Sequence, residues 1–87
     1  MPFSFNATFR AHRIFNIGRE FHDVPGALNP NSVVMVSLTE LDSSGNPILG
    51  DATMKVYNVV PKDEVVLIRG EVDWDEDLTI RANIFIA

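Results

Sequence analysis

The residues with the most chemical potential crowd into one short stretch. Glu71, Asp73, Asp75, Glu76 and Asp77 surround Trp74, the chain's only tryptophan. An indole offers a broad apolar face, and sugar rings offer apolar C–H faces rimmed by hydroxyls. Carboxylates beside the indole would accept hydrogen bonds from those hydroxyls, and such bonds are strong because one partner is charged. Trp74 thus has two readings: a stacking platform for a ring, or a lid packed over the end of a fold. Its acidic neighbours argue against full burial, since an unpaired buried charge is expensive.

Asp73, Asp75 and Asp77 alternate along the chain. On an extended backbone they would share one face at spacings of about 6–7 Å, a trio of oxygen donors that could take Ca²⁺. An EF-hand is excluded, because Leu78 stands where its glycine belongs and Ile84 where its bidentate glutamate belongs. The simpler expectation is that no metal or cofactor is bound and that the acids form a solvated turn. Lys55 and Arg69 fall on strands expected to pair through a turn at Pro61, with Glu64 or Glu71 as cross-strand partners. His12 and His22 stand alone and read as surface or interface residues. His22 and Asp23 are adjacent, but neighbours on a strand point to opposite faces and form no dyad. Asn6-Ala7-Thr8 matches the glycosylation sequon but lies on an alternating stretch. Gly-x-Ser-x-Gly, Walker, Gly-x-Gly-x-x-Gly and His-Glu-x-x-His motifs are all missing, so the chain is expected not to be an enzyme.

The elements that must position these residues are strands. Leu78, Ile80, Ala82, Ile84 and Ile86 alternate with Thr79, Arg81 and Asn83, a pattern useful only to a half-buried strand. Phe3, Phe5, Ala7 and Phe9 alternate with Ser4, Asn6, Thr8 and Arg10 in the same way. Residues 14–17 predict a second strand stopped at Gly18, and Phe21 an anchor in the core. Residues 33–41 form an apolar run whose start is apolar on both faces, which predicts a strand covered on both sides. Residues 42–51 read as a polar loop. Residues 52–60, 64–72 and 78–87 read as three strands of a meander, turned at Pro61-Lys62-Asp63 and at 74–77. Turn signals about every ten residues predict a sandwich or barrel.

Size and charge narrow the classes further. The chain has 87 residues, so one domain over 1–87 is expected. A chain this short buries about 60–65% of its unfolded surface, and its own core is modest. It has no cysteine to staple it, and 46% of its residues are hydrophobic, which favours a homo-oligomer. Twelve acids against seven scattered bases give a net charge of −5, unsuited to nucleic acid. No apolar run reaches the length of a membrane span. The chain does not open on a basic region followed by an apolar stretch, so no signal peptide is evident. Extracellular and particle-associated settings both fit.

Three blocks carry a resemblance. Val33-Val34-Met35-Val36-Ser37-Leu38-Thr39-Glu40-Leu41-Asp42, then Tyr57-Asn58-Val59-Val60-Pro61, then Trp74 with the alternating final strand, resemble the H-type lectin pattern over residues 33–86. The resemblance implies a six-stranded antiparallel β-sandwich, assembled as a trimer or hexamer, that binds galactose-type sugars at protomer boundaries. The family's arginine ahead of the tyrosine-bearing strand is matched here by Asp51, with Lys55 nearby. Its Trp-His pair reads Trp74-Asp75, and its sugar-contacting tyrosine in the last strand is matched by Ile80. Its intersheet cysteines are absent.

The resulting expectation is an all-β chain: a compact antiparallel β-sandwich of about six strands, H-type-lectin-like. It would act as a carbohydrate-binding homo-oligomer. Trp74 would stack on the sugar, Asp75 and Asp51 would accept hydroxyl hydrogen bonds, and Lys55 would donate. The rival expectation is a structural or assembly protein, such as a particle or phage-tail subunit, with Phe3, Phe5, Phe9 and Phe15 on a subunit interface.

Overall fold

The computed structural model describes residues 2–87; Met1, part of the expected domain, lies outside the described residues. The described chain contains seven strands and no helix. They are β1 (Phe3–Ala11), β2 (Arg13–Glu20), β3 (Val34–Leu41), β4 (Pro47–Ile48), β5 (Thr53–Lys62), β6 (Val65–Asp73) and β7 (Leu78–Ile86). One sheet has the order β1-β7-β3-β4 and the other β2-β6-β5. Every pairing is antiparallel.

The two-residue rhythm sets which faces meet. Ile80, Ala82, Ile84 and Ile86 of the first sheet and Phe15, Val66, Ile68 and Val72 of the second form one buried cluster. Each fully buried aliphatic side chain of this kind contributes about 1.5–3 kcal/mol. Gly70 makes one contact possible. A Cβ there would stand 2.6 Å from Cζ of Phe15 and 2.7 Å from the Lys55 carbonyl oxygen, so only glycine lets the ring lie against the sheet.

Several local expectations are corrected. β2 does not stop at Gly18 but runs through it to Glu20, because Gly18 keeps a ladder position opposite Leu67. Pro61 does not turn the chain. It lies within β5, on the edge of its sheet, where a missing N–H need not break a ladder. The turn is Asp63-Glu64, with Glu64 at φ 62°. The loop over 42–51 contains β4, which pairs only with Glu40 and Leu41. The start of the 33–41 run is not covered on both faces: Val33 and Met35 are 62% and 57% exposed. Phe3, Phe5, Phe9 and Phe15 do not line an outer interface. They turn inward and pack in or against the core, since their parity in the ladders points there. Phe21 packs against the core as expected.

Candidate functional site

The register decides which loops share an end. Thr53 pairs with Asp73, Arg13 with Val72, and Ala11 with Leu78. The turn at 74–77, the corner at His12 and the approach to β5 therefore meet at one end of the sandwich. Asp51, Trp74 and Asp75 are brought to that end. Lys55 is not: it lies on the outer face of the second sheet, opposite Glu71. Glu71 in turn accepts the hydroxyl hydrogen bond of Tyr57, which holds the phenol's pKa above its ordinary value. Arg69 pairs with neither expected glutamate; its Nε donates to Oδ1 of Asn16.

Trp74 is 39% exposed. It lines a shallow cleft of about 390 Å³ with Arg13, Asp73, Asp75 and Glu76. The cleft residues are tied to one another. Arg13 Nη1 donates to Oδ1 of Asp73 at 3.0 Å, and Nη2 donates to Oδ1 of Asp75. The Trp74 amide donates to the Val72 carbonyl at 2.8 Å, which fixes the entry to the turn. On the far side of the turn, His12 Nδ1 and Asp77 Oδ1 lie 2.5 Å apart. Arg10 Nη2 donates weakly, at 3.4 Å, to the Asp77 carbonyl.

Arg13 was not legible from the chain as a site residue. It holds φ at 57°, a left-handed conformation that bulky residues adopt only under constraint. One residue, His12, separates β1 from β2, and the backbone must change sheets there. The strained corner throws the Arg13 side chain over the turn. The signal for it was indirect: five acids at 71–77 call for a cation.

The alternating acids do not share one face. The backbone bends at 74–76, so the extended geometry ends at Asp73. Asp73 and Asp75 go to Arg13, and Asp77 goes to His12. Among the described residues, no three His, Cys, Asp or Glu side chains are grouped to hold a metal ion. Ile80 is fully buried in the core, so the position matching the H-type lectin tyrosine faces away from any ligand.

The exposed ion pairs contribute little to stability. The Arg13 and Asp73 side chains are 52% and 60% exposed, and pairs of this kind are worth about 0–1 kcal/mol. What they do is set charged groups around a partly exposed indole.

No family model matches the chain, and the comparisons with curated proteins and with solved structures gave no match. No helix among the described residues is long and apolar enough to cross a membrane.

Proposed function

We propose that the Trp74 end is a carbohydrate-binding site and that the protein acts as a non-enzymatic, lectin-like module. The observation that carries this reading is the half-exposed indole framed by Arg13, Asp73, Asp75 and Glu76. The ring supplies a surface for the C–H face of a sugar. The carboxylates accept from hydroxyls, and the guanidinium donates to ring or hydroxyl oxygens. Asp51 stands at the same end and adds a further acceptor. Arg13 takes the donor role expected of Lys55. The resemblance to H-type lectins points to galactose-type sugars, and a shallow site of this sort gains from repetition in a trimer or hexamer.

Trp74 reports on its own site, being the only tryptophan. Titration with galactose and N-acetylgalactosamine should change its fluorescence saturably at millimolar sugar, and Trp74→Ala should lose the binding measured by calorimetry. A glycan array with no ligand, together with no calorimetric response at millimolar sugar, would overturn the reading.

A second reading, an assembly subunit without a sugar site, is favoured by a different observation. Val33, Met35 and Phe85 are exposed on the first sheet, with Met35 directly opposite Phe85 in the ladder. Sedimentation distinguishes the two readings when paired with the sugar titration. A stable oligomer with a silent titration supports assembly alone.

A further inference from the structure

A second polar cluster lies on the outer face of the second sheet, about 13 Å along β6 from Asp73 at ordinary strand rise. The ladder between β5 and β6 slips between Val56 and Asn58, which turns Tyr57 and Asn58 outward together. The same register sets Asn58 opposite Arg69 and Arg69 opposite Asn16. Amide, guanidinium and amide thus form one row across three strands. In the next row Gly18 faces Leu67 and lends no side chain to the surface. The result is a depression of about 400 Å³, bordered by Asn16, Asn58 and Arg69 and floored by Val60 and Leu67.

Arg69 is poised in this depression. Its Nε donates to Asn16 Oδ1 at 2.9 Å, which fixes the plane of the guanidinium and leaves both Nη groups for another acceptor. Among the described residues no carboxylate lies within ion-pair distance of it. Glu71, two residues along the same face, is engaged by Tyr57 and stands opposite Lys55. A fixed fork of N–H donors matches a planar carboxylate, and flanking amides both donate to and accept from hydroxyls.

We propose that this face binds the carboxylate of an acidic sugar of the uronate type, with Arg69 gripping the carboxylate and Asn16 and Asn58 reading adjacent hydroxyls. The site is separate from the Trp74 end and does not depend on it.

The test is a nuclear magnetic resonance titration of the whole chain with glucuronate and galacturonate, against glucose, galactose and acetate. Uronates should shift the Asn16 and Asn58 side-chain amides and Arg69 Nε saturably. Neutral sugars, which lack the carboxylate, should bind roughly tenfold more weakly or worse, the scale of one lost charged hydrogen bond, and acetate, which lacks the hydroxyls read by Asn16 and Asn58, should also bind more weakly. Arg69→Gln should abolish the shifts, and Trp74→Ala should leave them unchanged. If Arg69→Gln does not fold, Arg69→Lys decides, since it keeps the charge and loses the fork. Equal binding of glucose, acetate-like affinity, shifts mapped elsewhere, or full binding by Arg69→Lys would each overturn the proposal.

Discussion

At one end of the sandwich His12 reaches Asp77 at 2.5 Å, and at the other His22 reaches Glu64 at 2.6 Å. Each histidine ties a β2-side corner to a turn beside β6, and both turns are acidic. The ends differ in what lies beneath. At the Glu64 end the connection over 21–33 folds back and sinks Leu28 into the core, where it is 1% exposed. The Glu64 amide donates to the Leu28 carbonyl at 3.0 Å, and its carbonyl accepts from the Phe21 amide at 2.8 Å. Backbone and core close that end. At the Trp74 end the turn is held by ion pairs, and the indole is left half in water. The same histidine–carboxylate device therefore serves a plug in one place and a framed opening in the other.

The largest effect that tests this contrast is Leu28→Ala. Removing the plug should cost about 2–5 kcal/mol in a urea melt, as for other fully buried leucines. Trp74→Ala should cost about 1 kcal/mol or less, in keeping with a partly solvated surface position. Equal costs would make Trp74 a packing residue and erase the contrast.

Next in size is the strained corner. Arg13→Gly and Arg13→Ala both delete the pairs to Asp73 and Asp75, and both should weaken sugar binding at the Trp74 end. They should differ in stability. Glycine takes a positive φ freely, whereas alanine there costs about 1 kcal/mol. Matching melts for the two variants would mean that the corner relaxes and that Arg13 holds its place by charge alone.

The smallest effect is a dependence on pH at the closed end. The hydrogen bond that His22 makes to Glu64, and then that to Glu20, raise the His22 pKa above its ordinary value. The folded protein thus holds that proton more tightly than the unfolded chain does. Its stabilisation is complete below the unfolded value of about 6.5 and is lost as pH rises through the raised one. The Tm gap between the native chain and His22→Gln should be widest at acid pH and close on the alkaline side. A gap constant across that range would show that His22 contributes by packing instead.

The strands were legible because burial imposes a period of two, and long alternating stretches such as 78–86 leave no other solution, but their sheets were not: β7 leaves the expected meander with β5 and β6 and joins β1 and β3 in the other sheet. The failures have a common cause. Gly18 and Pro61 are turn formers by local preference, yet each lies inside a strand because the ladder around it decides. Gly18 is held between ladder neighbours, and Pro61 sits on an edge that asks nothing of its nitrogen. The inward turn of Phe3, Phe5 and Phe9 follows from which sheet face meets the other, a fact no local pattern states. At the site, Trp74 and its acids were readable from composition. Arg13 was not, because a contact across 60 residues and a left-handed corner leave no mark in the order of side chains. The approach to β5 brings Asp51 to the Trp74 end, whereas the register of Lys55 puts it on the flank.

β7 occupies the middle of its sheet, pairing Ile86 with Phe3 on one side and with Val34 on the other. It is also the last of the seven strands to leave the ribosome. Until it arrives, β1 and β3 carry apolar faces and bare edges with no partner to join them. A sheet keyed by its latest strand forms only through the most distant contacts the chain can make, which slows folding and exposes sticky edges on the way. A chain cut before residue 78 would lose the strand that joins β1 to β3 and should yield no smaller working domain.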